Sequence, residues 1–261
     1  VGAMVLKKVI TIFIFCLQLS VFALNGKTFV FFINGDWHYN GPVFEERGIR
    51  LKDQAELIYK KILKRAKEDN KNNYVLFYDP LGKGNVFNRN WVKLKIYSKG
   101  KKTFTYGLRK PEVDTSNVLL YKEIARTVRK ELPDFSAEKS LFYYYGEHFP
   151  LIGKSKLDLS GGSIGLSSIK SLMEVFGKFK LSIFHTCYLN NINILNELLS
   201  HTERILVPHK AILNTPLSFF SLEKSKTFMD FERAFLNDNA GSDKYFYLGY
   251  VDLPTKSGQF S

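Results

Sequence analysis

The chain has 261 residues, 45% of them hydrophobic and 24% charged, with a formal net charge of +13 from 38 basic and 25 acidic residues. That apolar content excludes a disordered chain, and the length allows one large α/β domain or two small ones. The positive balance favours anionic partners such as an acidic envelope polymer, but the densest basic group (Lys93, Lys95, Lys99, Lys101, Lys102) carries no nucleic-acid motif, so specific nucleic-acid binding is not expected.

The first 23 residues read as an export signal. Val1-Gly2-Ala3 stand ahead of Met4 as an expression scar or an upstream start. Lys7 and Lys8 then precede an apolar stretch over 9–17, and Ala23 is the small residue expected at a cleavage point. The apolar stretch falls short of the ~20 residues that cross a bilayer, so no transmembrane anchor is expected after cleavage. The mature chain, 24–261, is expected to be one domain, exported to the periplasm or secreted. Of the two cysteines, Cys16 leaves with the signal and Cys187 remains alone. A lone thiol in an exported protein has no internal disulfide partner and asks for another explanation.

In chain order, 27–33 (KTFVFFI) reads as a buried strand ending in the Asn34-Gly35-Asp36 turn, and 51–68 as a helix with Leu51, Ala55, Ile58, Ile62 and Ala66 on one stripe. A second strand over 74–78 stops at Asp79-Pro80. Residues 92–106 form a hairpin around Ser98-Lys99-Gly100-Lys101, which puts the lysines on a β-ribbon rather than a binding helix. Helical spacing returns over 116–132. Strand 141–145 (LFYYY) runs into Gly146-Glu147-His148, helix 166–176 follows, and strand 181–184 (LSIF) runs into His185-Thr186-Cys187. A helix over 191–199 and a short strand over 204–207 come next. Short apolar strands alternating with amphipathic helices predict a mostly parallel sheet covered on both faces.

In such sheets ligands bind beyond the carboxyl ends of the strands. His148 and Cys187 both follow directly on such ends, 39 residues apart. A thiol attacks as thiolate, and a neighbouring histidine lowers its pKa or takes its proton, so the pair is a candidate catalytic dyad. The competing reading makes Cys187 a small buried hydrophobe and His148 an ordinary loop residue.

Three stretches carry a resemblance to the clostripain-like cysteine peptidases, in the same broad group as caspases. FVFFINGDWHYN (29–40) is similar to the family's opening strand and turn, LFYYYGEHFP (141–150) resembles its histidine motif, and LSIFHTCYLNN (181–191) resembles its cysteine motif. The resemblance implies a caspase-like α/β/α sandwich with a β-hairpin addition and hydrolysis of peptide bonds, commonly after Arg or Lys. It implies Cys187 as nucleophile, His148 as acid and base, and the backbone amides of Phe149 and Cys187 as holders of the oxyanion. His185 takes the place of a family Asp in the substrate pocket, which removes a charge and leaves the preference at the residue before the scissile bond (P1) open. Some relatives use calcium, for which Asp36 is a candidate ligand by that resemblance, but one carboxylate makes no site, so no cofactor is assigned. The alternative on the same fold is a catalytically inactive envelope or interaction protein with relic motifs.

The remaining features weigh less. On strand alternation Glu147 faces away from His148. Gly161-Gly162-Ser163-Ile164-Gly165 precedes a helix but lacks the lysine pattern of a phosphate loop. His38, His185, His201 and His209 have no metal-type spacing, so no zinc site is expected.

Overall fold

A computed structural model describes residues 26–34, 51–79, 91–109, 118–146, 165–186, 189, 191–208 and 248–252. Eight strands form one sheet: β1 (Thr28–Asn34), β2 (Asn73–Asp79), β3 (Trp91–Ser98), β4 (Lys101–Arg109), β5 (Ser140–Tyr145), β6 (Leu181–His185), β7 (Arg204–Pro208) and β8 (Leu248–Asp252). Their order across the sheet is β4-β3-β2-β1-β5-β6-β7-β8. The inner five run parallel, while β3, β4 and β8 are antiparallel additions at the two edges. Four helices accompany them: α1 (Leu51–Glu68), α2 (Val118–Glu131), α3 (Leu166–Phe176) and α4 (Ile192–Leu199).

Strand alternation divides the core into two layers. Phe29, Phe31 and Ile33 of β1, Tyr74, Leu76 and Tyr78 of β2, and Leu141, Tyr143 and Tyr145 of β5 meet Ala55, Ile58, Tyr59, Ile62 and Ala66 of α1. The intervening residues, among them Val30, Phe32, Phe142, Tyr144 and Phe184, meet the apolar faces of α2, α3 and α4 on the other side. Burial on both faces is why the central strands read as unbroken apolar runs instead of alternating ones. The α/β/α sandwich expected from the sequence is therefore present.

Local chemistry fixes the connections. Asp69, just past α1, accepts hydrogen bonds from the Lys71 amide (2.9 Å), the Asn72 amide (3.1 Å), the Asn72 side chain (2.7 Å) and the Tyr74 hydroxyl (2.6 Å). That turn delivers the chain into β2. Lys99 (φ 50°) and Gly100 (φ 80°) close the β3–β4 hairpin with two positive φ values, the conformation that suits the twist of a two-residue loop. Asn191 caps α4 by accepting from the Asn193 amide at 2.9 Å.

Element types and positions follow the sequence expectations closely, and α1 and α3 match them at both ends. The hairpin is no detached ribbon: β3 pairs with β2 and extends the main sheet. Strand β8 was not expected; LGYVD is short, with a glycine in it, and gains its partner only from β7. The proposed export signal, 1–23, lies outside the described residues. Among the described residues no helix is long and apolar enough to cross a membrane.

Candidate active site

The strand order reverses at β1. From β1 the chain passes through α1 on one face to β2 on one side, and later through α2 on the opposite face to β5 on the other side. A crevice opens beyond the carboxyl ends at such a switch point, because the flanking connections diverge there. Parallel β1, β5 and β6 all end at this edge.

Register sets their ends level. Ile33 pairs with Tyr145, and Tyr145 with His185, so the three form one transverse row on the α1 face. The row continues through Tyr78 of β2 to Lys93 of β3. One residue further on, Asn34 and Asp79 pair at the ends of β1 and β2. The Gly146 amide donates to the His185 carbonyl at 3.3 Å, so the β5–β6 ladder persists to the last residue before each candidate motif.

Gly146 is required by packing. A Cβ there would lie 2.6 Å from the Tyr144 hydroxyl oxygen and 3.1 Å from Asn34 Cβ. Tyr144 cannot give way, since it is wholly buried with its ring between Phe32 and Phe184, about 6.1 Å from each. The glycine that opens the Gly-Glu-His motif thus answers to the aromatic two residues before it.

His185 is only 4% exposed. Its Nδ1 and the Tyr143 hydroxyl lie 2.9 Å apart, the donor being set by the imidazole tautomer. The Tyr145 ring stands edge-on at 4.8 Å and 83°, and the Tyr143 ring at 6.3 Å and 68°. Burial pushes the imidazole pKa down to about 3, so His185 is neutral at physiological pH. Burial likewise raises the Tyr143 hydroxyl well above its ordinary value, so the pair carries no charge.

Three more polar groups occupy this edge on the α2–α4 side. Asp79 is fully buried, and Asn34 and Thr186 are nearly so. Thr186 Oγ1 is buried without a hydrogen-bond partner. Asp79 and Tyr143 were not singled out from the sequence. Their only signal was a polar atom ending, or interrupting, an apolar strand run.

Of the predicted site residues, His185 is placed at the end of β6, on the α1 face. His148, Phe149 and Cys187 lie outside the described residues, as do Asp36, Glu147, His38, His209 and the glycine-rich loop up to Ile164; Gly165 stands at the N-cap of α3. Gly146 and Thr186, which lead within two residues into His148 and Cys187, stand at the ends of adjacent parallel strands. Among the described residues no group of three or more His, Cys, Asp or Glu could hold a metal ion.

No family model matches the sequence, and no curated protein matches it. Solved structures do. A secreted C11 cysteine protease from Bacteroides thetaiotaomicron, in complex with an irreversible peptide inhibitor, superposes with a TM-score of 0.55 at 13% identity, over 83% of this chain and 59% of that one. A second structure of a secreted C11 cysteine protease from that organism, "iotapain", gives 0.54 at 11% identity over 87% and 66% of the two chains. An inactive zymogen C11 protease from Parabacteroides distasonis gives 0.51 at 11% over 82% and 59%. The chain thus spans about three fifths to two thirds of the length of the structures it matches. At these identities the likeness is one of architecture, and it agrees with the clostripain-like resemblance read from the motifs: this chain has the fold of the C11 cysteine proteases.

Proposed function

We propose that this chain is an exported cysteine peptidase in which Cys187 is the nucleophile and His148 the general acid and base. The observation that carries the reading is the shared ending of β5 and β6. Cys187 follows two residues after the end of β6 and His148 three residues after the end of β5, and those strands are neighbours, parallel and in register. The fold shared with C11 proteases supports the same chemistry.

In this reading the Cys187 thiolate attacks the scissile carbonyl carbon, and the carbonyl oxygen becomes an oxyanion held by the backbone amides of Phe149 and Cys187. Collapse of the tetrahedral species breaks the C–N bond as His148 protonates the leaving amine. A thioester remains on Cys187. Water attacks it while His148 takes the water's proton, releasing a carboxylic acid and restoring the thiol. His185, in the place of a family Asp, is uncharged and buried, so that position supplies no anion for a Lys or Arg side chain at P1. The residues expected as a signal, 1–23, are removed on export, and the remaining 24–261 form one domain.

The test is a fluorogenic peptide library on the intact chain, with Cys187→Ala beside it. Cleavage lost in the variant supports the peptidase, and the preferred P1 residue reports the pocket. Failure to cleave by intact and by proteolytically nicked chain alike would favour an inactive interaction protein on the same fold.

A further inference from the structure

The transverse row that ends in His185 begins, four strands away, in Lys93. Lys93 and Lys95 alternate with Leu94 and Ile96 along β3, so both lysines face the α1 side. Both are half-buried, whereas Lys99, Lys101 and Lys102 at the hairpin tip are exposed. Neither Lys93 nor Lys95 makes an ion pair with any described residue. Glu56, the acid whose field reaches Lys93, is bound by Lys60 at 2.8 Å. Burial, with the like charge of Lys95 added, pulls the Lys93 pKa below its ordinary value.

A second, separate feature adjoins them. Tyr59 of α1 is 5% exposed, stacks on Tyr78 at 4.3 Å, and has its hydroxyl buried with no hydrogen-bond partner. The Lys95 ammonium stands 5.7 Å from the centre of that ring. Tyr78 is in turn the register partner of Lys93. Two ammonium groups that make no ion pair with a described residue and one unused donor therefore lie on the α1 side of the sheet at the β3 edge. The hydroxyl is costly by itself, because a buried polar group keeps its desolvation penalty until it is paired, and the two half-buried ammonium groups repel each other.

We propose that Lys93, Lys95 and the Tyr59 hydroxyl form a binding site for a dianionic oxyanion of the phosphate class. Such an ion neutralises both ammonium groups and offers enough lone pairs to accept from all three donors at once, which a halide or a single carboxylate does not. The site is independent of the peptidase reading, sharing no residue with it.

The experiment is a titration of the intact chain with inorganic phosphate, read as the melting temperature at constant ionic strength set with chloride, with acetate in a parallel arm. A saturable rise with phosphate only is expected, since a ligand that binds the folded state alone stabilises it. Lys93→Met/Lys95→Met should weaken the apparent affinity by about tenfold or more, and Tyr59→Phe, which keeps the stack on Tyr78, by a smaller factor. Lys101→Met/Lys102→Met at the hairpin tip should respond like the unmodified chain. Methyl phosphate in a further arm distinguishes a free ion from an esterified phosphate; tighter binding of either supports the site. No rise with phosphate, an equal rise with acetate, or an unchanged response in the Lys93/Lys95 variant would overturn it.

Discussion

The Tyr143 hydroxyl and His185 Nδ1 are 2.9 Å apart at the carboxyl edge of the sheet, inside an aromatic surround that keeps both uncharged. This pairing makes folding sensitive to acid. In the unfolded chain His185 takes up a proton near its ordinary value of 6.5, whereas in the folded chain it does so only near 3. Between those values the unfolded state holds the extra proton. The contribution of His185 is thus fully present above pH 6.5 and drains away as pH falls toward 3, by up to about 1.4 kcal/mol per pH unit. His185→Gln should flatten the loss of stability between pH 6 and 4, measured by urea unfolding at each pH. A profile identical to that of the unmodified chain would show that the imidazole does not titrate as argued.

Tyr143→Phe probes the same pair from the other side. Removing the hydroxyl takes a hydrogen-bond partner from a buried imidazole, for an expected loss of about 1–3 kcal/mol. The check is the urea midpoint at pH 7.5, where His185 is neutral in both folded and unfolded chains.

Gly146→Ala should be costly although only a methyl group is added. The new Cβ would meet the Tyr144 hydroxyl oxygen at 2.6 Å, and that ring is pinned by Phe32 and Phe184. Overpacking of this kind costs about 1–3 kcal/mol. The double variant Gly146→Ala/Tyr144→Phe should recover part of the loss, because it removes the clashing atom. Equal stability of the single and double variants in thermal melts would locate the constraint elsewhere.

Asp69→Ala should destabilise the chain by about 2–4 kcal/mol, since it strips four donors of their acceptor at the α1–β2 turn. Burial by itself would raise the Asp69 pKa, but the hydrogen bonds from Tyr74, Asn72 and Lys71 outweigh it and hold the carboxyl below 3.8. Its contribution is therefore present above pH 3.8 and is lost only as pH falls through that lowered value, a window that lies mostly below the one set by His185. Chemical unfolding at pH 7 and pH 4 should show the Asp69→Ala deficit at both.

Much of this architecture was readable from local pattern. KTFVFFI, YVLFY, LFYYY and LSIF are unbroken apolar runs because both faces of a central parallel strand are covered, and the α1 stripe is set by 3.6-residue spacing. The hairpin was marked by Gly100 between two alternating arms, although Lys99 is an uncommon residue at a positive φ. What was not readable depends on register between distant segments. That Tyr143 would meet His185 required β5 and β6 to be neighbours, and that Lys93 would share a row with His185 required five strands to align. Strand β8 was missed for the same reason: its identity comes from pairing with β7, not from its own residues. At the candidate site, order and spacing pointed to the carboxyl ends of two strands that the fold makes neighbours, while the burial and neutrality of His185 emerged only from the packed aromatics around it.

The proposal that Cys187 is a nucleophile activated by His148 is tested most directly by the rate at which iodoacetamide alkylates Cys187, followed by peptide mapping across pH. An ordinary thiol, with a pKa near ~8.5, loses about tenfold in rate for each pH unit below that value. The account predicts rapid alkylation that persists to about pH 6 and collapses in His148→Ala. A rate that matches the unfolded chain at every pH, with no effect of His148→Ala, would contradict it.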